Sequence, residues 1–344
     1  MLKPIIRPQL KKLLHKSTLF CMPGHKGSLN ALDITEITGA DDLRRPKGIL
    51  HDAQRQLAKV FNVPFAQFLV GGSSLGIHTM VKYYCDIGDT LIINDGAHVA
   101  VHNIAKILNL KTITLPINKI DNFGIAAPIM PDDVERTIKQ HPDAKAVLIT
   151  SPTYYGIFSD VKGIAKVCHA NNIPLIVDQA HGAHFSFSHS LPPNAIEAGA
   201  DACNISVHKT LPSLTQTAML LSRVDMSEQL NLFCTTSPSY LFMMAIEEAC
   251  IKMHKKGEKM IDALITNCNN FKNAIKFNTL SNNYTDPTRL VISLPGNRAN
   301  EIANSLAQKR IYIEMCDGKN IVLIPSVNNT KDDFTRLAKE LNQF

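Results

Sequence analysis

Two short apolar runs within residues 172–221, each leading into a reactive side chain, constrain the fold most strongly. Residues 173–177 are followed by Asp178, and a second run leads into residues 206–209, which end in Lys209. Both runs are short, contain β-branched residues and are followed by Gly, His or Pro, which predicts buried β-strands. Ligands of open α/β sheets bind beyond the carboxyl ends of the strands. We therefore expect Asp178 and Lys209 to face one crevice.

An aspartate and a lysine in one pocket suit pyridoxal phosphate. The lysine can form a Schiff base with this cofactor, and the aspartate can keep its pyridine nitrogen protonated, so that the ring accepts electrons. Most Asp and Lys residues at strand ends are solvated or salt-bridged, so the pair by itself favours an ordinary surface pair. The surrounding sequence has to decide between the two interpretations.

Three segments resemble motifs of the Orn/Lys/Arg decarboxylase family. VDQAHGAHF (177–185) and SVHKTLPSLTQTAM (206–219) resemble the family patterns VDEAHGAHF and STHKTLPALTQSAM, and SPTYYGIFSDV (151–161) matches SPTYYGVxxDL. The resemblance implies the aspartate-aminotransferase fold (fold type I): a large α/β domain with a mostly parallel sheet and a smaller C-terminal α/β domain. It also implies pyridoxal phosphate as the cofactor, with Lys209 as the Schiff-base lysine and Asp178 as the partner of the pyridine nitrogen.

The same segments imply further site residues. Ala180 and His181 would lie near the cofactor ring, and Ser206 and His208 would hold the phosphate or support the lysine. Lys209 or His208 would return a proton to the substrate Cα. Gln179 replaces the glutamate of the family pattern beside the aspartate.

The segment GGSSLGIHTM (71–80) places two glycines and two serines before a helical pattern. Small residues at a helix N-terminus can bind phosphate, although a plain glycine turn with a serine N-cap is an equally good interpretation. The segment corresponds to the GSTSG-like phosphate cup of the family, which implies that Ser73 and Ser74 contact the phosphate. Leu75 stands where the family has a small or hydroxyl residue.

Residues 94–100 align with the RNAHKS motif of the family, which implies that His98 lies over the cofactor ring. From the residues alone, a histidine just past a strand end is more often a hydrogen-bonded surface residue. The lysine and serine that follow the histidine in the family are Val99 and Ala100 here.

CTTSPSY (234–240) resembles the family motif QTTSPSY, in which hydroxyl groups reach the cofactor phosphate of the neighbouring subunit. The resemblance implies this role for Thr235 and Thr236, and hence a homodimer with shared active sites. From the residues alone, Thr235, Thr236 and Ser237 form a polar cap before a long helix.

Alternating patterns predict a large domain at 31–225, preceded by an arm at 1–30 and followed by a connecting helix and a small domain at 226–344. The predicted strands of the large domain include 67–70, 90–94, 112–116, 146–150 and 173–177. The small domain is predicted to alternate strands with helices, at 289–294, 299–309, 311–315, 321–325 and 332–342. Family sequences continue further, into a YPPGIP-type motif that is not present here.

Composition excludes several classes of protein. The +6 charge is spread along the chain, so no nucleic-acid partner is predicted, and no apolar run approaches the roughly 18 residues that a membrane span needs. The eight cysteines form no CxxC pair, which favours reduced thiols and a cytoplasmic location. A metal site of Asp178, His181 and His184 is disfavoured, because their spacing is not a usual zinc pattern. No metal is predicted.

The resemblance implies a decarboxylase of lysine, ornithine or arginine, releasing CO₂ and a diamine or agmatine and serving amino-acid metabolism and polyamine biosynthesis. Arg44, Arg45 and Lys47 stand where the family has a His-His and Glu pattern, so the identity of the substrate stays open. The acids that would meet the distal cation of the substrate are guesses: Glu36, Asp41 and Asp42. Two alternatives remain: an aminotransferase or other lyase of the same fold, and a non-catalytic paralogue that binds a partner decarboxylase.

Overall fold

A seven-stranded sheet lies at the centre of the protein in the computed structural model, which describes residues 2–116 and 118–344. The strands of the chain, in sequence order, are β1 (Phe65–Leu69), β2 (Thr90–Ile93), β3 (Lys111–Thr114), β4 (Lys119–Ile120), β5 (Ile125–Ala126), β6 (Ala144–Thr150), β7 (Leu175–Asp178), β8 (Ala202–Ile205), β9 (Ala218–Ser222), β10 (Asn278–Thr279), β11 (Leu290–Ser293), β12 (Met315–Cys316) and β13 (Asn320–Leu323).

The central sheet runs in the order β1-β9-β8-β7-β6-β2-β3. Pairings from β8 through β3 are parallel, whereas β9 runs antiparallel to both of its neighbours, β8 and β1. The predicted mostly parallel sheet is therefore confirmed. The helices on and around it are α1 (Ile6–Leu13), α2 (Ile49–Val60), α3 (Gly72–Tyr84), α4 (Val99–Ile107), α5 (Pro131–Gln140), α6 (Val161–Ala170), α7 (Val207–Thr210), α8 (Ser227–Phe233), α9 (Tyr240–Ala274), α10 (Ala299–Gln308) and α11 (Lys331–Leu341).

Both faces of the central sheet are buried. Successive strand residues point to opposite faces, so Ile149 and Val177 join one apolar cluster and Leu148 and Ile176 join another. The first cluster includes residues of α2, α5, α6 and α9, and the second includes residues of α3, α4 and α8. Helices on both faces explain why these strands are continuous apolar runs and do not alternate with polar residues.

A smaller antiparallel sheet, in the order β10-β11-β13-β12, packs with α10, α11 and the end of α9. This arrangement agrees with the predicted smaller C-terminal α/β domain, whereas the exact domain bounds stay a prediction. Within the described ranges, no helix combines the length and the apolar character that crossing a bilayer requires. All eight cysteines lie in those ranges, and none forms a disulfide there.

The predicted strand at 311–315 is wrong except at its last residue. Ile311 donates its amide to the Leu306 carbonyl, and Arg310 before it has a φ of +58°, so this stretch closes the end of α10. Tyr312 is 80% exposed, and pairing with β13 begins only at Met315. Ile311 and Ile313, the alternating apolar residues that suggested a strand, are partly buried against the apolar cluster of the smaller sheet.

Gly76 allows α3 to lie unusually close to the sheet. A Cβ atom at this position would lie 2.8 Å from Asn204 Cβ on β8 and 2.8 Å from Leu69 Cδ1 on β1. Contacts that short do not occur between real carbon atoms in folded proteins, so the glycine sets the distance between helix and sheet. The N-terminus of α3 is thereby fixed above the carboxyl ends of the strands.

We expect Gly76→Ala to lower the free energy of unfolding by about 1–3 kcal/mol, because overpacking outweighs the better helix propensity of alanine. Urea unfolding followed by circular dichroism measures this change. Gly24→Ala is the matched control, since a Cβ there meets nothing within 4 Å. Equal stability of Gly76→Ala and the wild type would contradict the close packing of α3.

Candidate active site

Asp178 ends β7 at the carboxyl edge of the sheet, and its carboxylate is buried and oriented by the protein. Its Oδ1 accepts hydrogen bonds from Asn204 Nδ2 at 2.9 Å and from the Ala180 amide at 3.2 Å. Asn204 lies directly opposite it on the parallel strand β8. No described residue donates a hydrogen bond to Asp178 Oδ2, so this oxygen keeps its capacity to bind a ligand.

Lys209 lies in α7, the single helical turn that follows β8, and its amine enters the same crevice. The Nζ atom lies 3.1 Å from His181 Nε2. Burial lowers the pKa of Lys209, Asp178 opposes this effect, and Arg289 adds to it. The lowered pKa increases the fraction of neutral amine, which is the nucleophilic form of a lysine.

His181 is buried in the crevice between the side chains of Lys209 and Arg289. Its Nδ1 lies 3.5 Å from Arg289 Nη2, on the side opposite Lys209, and the Tyr154 ring packs edge-on against it with centroids 4.9 Å apart. Burial lowers the pKa of His181 well below its ordinary value, and the charges of Arg289 and Lys209 lower it further. The imidazole is therefore neutral at physiological pH.

Ser73, Ser74 and Ser206 lie where the sequence places a phosphate site. Ser73 and Ser74 occupy the first turn of α3, and the Ser73 and Ser206 hydroxyl groups are hydrogen-bonded at 2.7 Å. Amide groups in a first helical turn have no partner within the helix and attract anions. Leu75 is buried in the apolar cluster under α3, so its departure from the family pattern serves the core.

The residues that flank Asp178 and Lys209 face different surroundings. Gln179 points away from the crevice, and its Oε1 accepts the Ala195 amide at 3.1 Å, so the substitution beside Asp178 leaves the crevice unchanged. Ala180 is buried and contributes its amide to Asp178. His208 is half-buried, and burial together with the charge of Lys209 lowers its pKa.

His98 lies at the start of α4, just after β2 ends, on the same edge of the sheet. Its Nδ1 accepts the Ala100 amide at 3.1 Å as an N-cap, and its charge contributes to the lowered pKa of His181. Val99 is exposed and Ala100 is buried. The position is compatible with a ring-flanking role for His98, which stays a prediction.

Thr235 and Thr236 are exposed between α8 and α9. Thr235 Oγ1 accepts the Ser237 amide at 3.1 Å, which agrees with the polar-cap interpretation for the isolated chain. The contact of these hydroxyl groups with the phosphate of a neighbouring subunit stays a prediction.

Asp41, one of the acids guessed to meet a substrate cation, directs its carboxylate at backbone amides, and its contact with a substrate stays a prediction. Partial burial of its carboxylate opposes ionisation, but hydrogen bonds from the amides of Lys47, Gly48, His51 and Leu50 lower its pKa. Asp42 likewise accepts the Arg44 amide at 2.8 Å. These carboxylates shape the loop before α2.

A buried polar group that was not predicted from the sequence surrounds Arg289. His184 Nε2 lies 3.1 Å from both Thr288 Oγ1 and Asp286 Oδ2. Burial acts to raise the pKa of Asp286, but His184 and Arg289 lower it to about 2. The segment Asp-Pro-Thr indicates a turn, but nothing in it signals that the next residue faces the crevice. His184 thus contacts this group, whereas His181 contacts Lys209.

Comparisons with known proteins agree with this geometry. A family model described as Orn/Lys/Arg decarboxylase, major domain, matches residues 27–285. The arginine decarboxylase of Bacillus subtilis is 31% identical over 363 residues, covering 94% of this chain and 73% of that protein.

The fold is shared with solved structures. A Francisella novicida lysine decarboxylase has a TM-score of 0.87 at 19% identity; the match covers 99% of this chain but only 60% of that one. The ureidoglycine–glyoxylate aminotransferase of Bacillus subtilis has a TM-score of 0.71 at 15% identity, with 86% and 84% covered. These neighbours have fold type I, which confirms the predicted fold class.

The family model and the B. subtilis relative both match most of the chain, and the similarity is greater than chance produces. Pyridoxal phosphate, the cofactor predicted from the sequence, is the cofactor of this family. The chain belongs to the Orn/Lys/Arg decarboxylase family, whose members are pyridoxal-phosphate-dependent amino-acid decarboxylases.

Proposed function

We propose that this chain binds pyridoxal phosphate and decarboxylates a basic amino acid, with arginine as the first candidate substrate. One observation carries the proposal: the buried carboxylate of Asp178 and the amine of Lys209 share a crevice with the Ser73–Ser206 hydroxyl pair. The three features suit three groups of the cofactor: the carboxylate suits its ring nitrogen, the amine its aldehyde, and the hydroxyl pair its phosphate.

The donor set fits the cofactor chemically. Asp178 Oδ2 suits a protonated ring nitrogen, because the carboxylate is already oriented through Oδ1 by Asn204. The Ser73 and Ser206 hydroxyl groups, with the first amides of α3, suit a phosphate dianion. When bound, pyridoxal phosphate supplies an electron sink that takes up the electron pair left as CO₂ departs.

The side chains of this chain then have separate roles. Asp178 would hold a proton on the ring nitrogen of the bound cofactor, and Lys209 would hold the cofactor through Nζ. His181 and Tyr154 exclude water from one side of the crevice, where His181 is buried and the two rings are packed. Lys209 Nζ, with His208 as the alternative, donates a proton to the substrate Cα after the carboxylate has left.

Arginine is proposed first because of the relatives. The B. subtilis arginine decarboxylase matches at 31% identity, whereas the F. novicida lysine decarboxylase matches at 19% and extends well beyond the part matched here. Lysine and ornithine stay as alternatives. The product would be agmatine, or a diamine for the alternatives, which would connect the chain to polyamine biosynthesis.

We further propose a homodimer whose subunits share their active sites. The exposed hydroxyl groups of Thr235 and Thr236 support this arrangement, because a polar segment before α9 is free to reach a second chain. In this arrangement the hydroxyl groups bind the phosphate held by the other subunit's Ser73 and Ser206.

We expect the purified wild type, loaded with pyridoxal phosphate, to absorb at about 420 nm and to release CO₂ from arginine. Lys209→Ala loses both properties, because only a free amine at this position attaches the cofactor. Lys82→Ala, at a lysine that pairs with Asp86 on the surface, is the matched control and keeps both.

Absorbance spectra and labelled-CO₂ release with arginine, lysine and ornithine measure these properties. Transfer of the amino group without CO₂ release would favour an aminotransferase. A wild type that stays colourless in excess cofactor would contradict the proposal.

We expect Lys209→Ala and a Thr235→Val/Thr236→Val variant to complement each other. Each variant alone has little activity. On co-expression half of the dimers are mixed, and each mixed dimer has one intact site of its two, so activity returns to roughly a quarter of the wild-type value. Differently tagged subunits and a CO₂ assay measure the recovery. Activity equal to the average of the two parents would show that the hydroxyl groups act within their own subunit.

A further inference from the structure

Arg289 is a buried cation whose charge is directed at His181. Its side chain is 1% exposed, and its Nη1 has no hydrogen-bond partner among the described residues. Its Nη2 lies 3.5 Å from His181 Nδ1. A guanidinium stays protonated in proteins, so this charge is permanent. The charges of Asp286 and Glu314 favour its protonated form, but neither carboxylate lies within ion-pair distance of it among the described residues. Burying a cation without a direct ion pair is costly, which indicates a role beyond packing.

The backbone and stem of Arg289 are held from two sides. Asp286 Oδ1 accepts the Thr288 amide at 2.8 Å in a tight turn, and the Arg289 amide donates to the Asp286 carbonyl at 3.0 Å. On the other side lies Gly156, with a φ of +81°, where a Cβ would be 2.5 Å from Arg289 Cβ. The guanidinium therefore has little freedom to turn away from His181.

This geometry determines which ring nitrogen of His181 carries the proton. A guanidinium only donates hydrogen bonds, so the Nδ1 that faces it has to be the accepting nitrogen. A neutral imidazole has one donor and one acceptor, which places the proton on Nε2. The Nε2–H then points at Lys209 Nζ, 3.1 Å away. Only a neutral amine accepts this hydrogen bond, because an ammonium group has no lone pair.

We propose that Arg289 fixes His181 in its Nε2–H tautomer and thereby holds the Lys209 amine in its neutral form before the cofactor attaches. Arg289 is in this sense a positioning residue that acts through His181. The inference rests on the proposed function, because a neutral Lys209 is useful only to a lysine that attaches the cofactor.

The charged surroundings explain why such a device is needed. Asp178 and Glu314 both favour the ammonium form of Lys209, against burial and Arg289. A hydrogen bond that only the amine can accept shifts this balance toward the neutral form. The titratable and charged groups that act on His181 or Lys209 come from several elements: Asp178, His98, His184, His208, Arg289 and Glu314.

The test uses the cofactor-free protein. Nitrogen-15 NMR of labelled histidine reports the tautomer, with His181→Phe identifying the resonance. We expect the Nε2–H tautomer in the wild type. In Arg289→Met the proton moves toward Nδ1, because Nε2 is then free to accept a hydrogen bond from the Lys209 ammonium group.

The second readout is the reactivity of Lys209 with an amine-selective reagent across a pH series, followed by mass spectrometry of its peptide. Loss of Arg289 removes a positive charge near Lys209 and allows His181 to carry its proton on Nδ1. Both changes favour the ammonium form of Lys209. We therefore expect the pKa of Lys209 to rise in Arg289→Met, which slows labelling roughly tenfold near neutral pH.

Two controls separate this role from a purely structural one. Arg298→Met removes an exposed arginine that pairs with Glu301, and it should change neither readout. In a His181→Phe background, which keeps a ring against Tyr154, Arg289→Met should slow labelling by much less than in the wild type. Arg289→Lys retains a donor-only cation and should keep the wild-type tautomer, which gives a second variant if Arg289→Met does not fold.

A wild-type His181 protonated on Nδ1 would overturn the inference without any variant, and so would an unchanged labelling rate in folded Arg289→Met. An equal effect of Arg289→Met with and without His181 would also overturn it. None of these readouts needs the cofactor or the reaction. A protein that shows the expected tautomer but releases no CO₂ therefore counts against the proposed function alone.

Discussion

The hydrogen bond between Asp178 and Asn204 is the interaction on which the arrangement of the site depends. The two residues lie opposite each other on neighbouring parallel strands, and both are buried. A buried carboxylate is costly unless its oxygens are hydrogen-bonded, and here the strand register supplies the donor for one oxygen and leaves the other free. Gly76 brings α3 against the same asparagine, so Asn204 fixes both the position of α3 and the orientation of the Asp178 carboxylate.

Contacts between the loop after β6 and the C-terminal part of the chain complete the crevice. Tyr154 and Tyr155 donate hydrogen bonds to Glu314 and Asp317, and His184 contacts Asp286. Through these contacts the C-terminal residues place a buried cation beside His181, while the sheet places the Asp178 carboxylate where its charge acts on Lys209. The protonation of Lys209 is thus set by residues that are distant in sequence. Such a balance of opposing charges is typical of catalytic lysines.

The sequence predicts the part of this site that local patterns encode. Asp178 and Lys209 follow apolar runs whose ends meet at one edge of a parallel sheet, and Ser73 begins a helix, so simple rules locate all three. Arg289 lies 108 residues from its partner His181, and no periodicity links the two positions. Asp41 looked available to a substrate because its sequence gives no sign of the backbone amides that surround it. Side chains that depend on long-range contacts or on loop conformation therefore escape prediction.

Reduction of the loaded protein with borohydride, followed by peptide mapping, tests the central claim most directly. The reagent makes the link between protein and cofactor permanent, and mass spectrometry then identifies the lysine that carries it. We expect one modified residue, Lys209, and no modification of Lys209 in protein that was never loaded. A cofactor mass on any other lysine, or none at all, would contradict the assignment of this crevice as the active site.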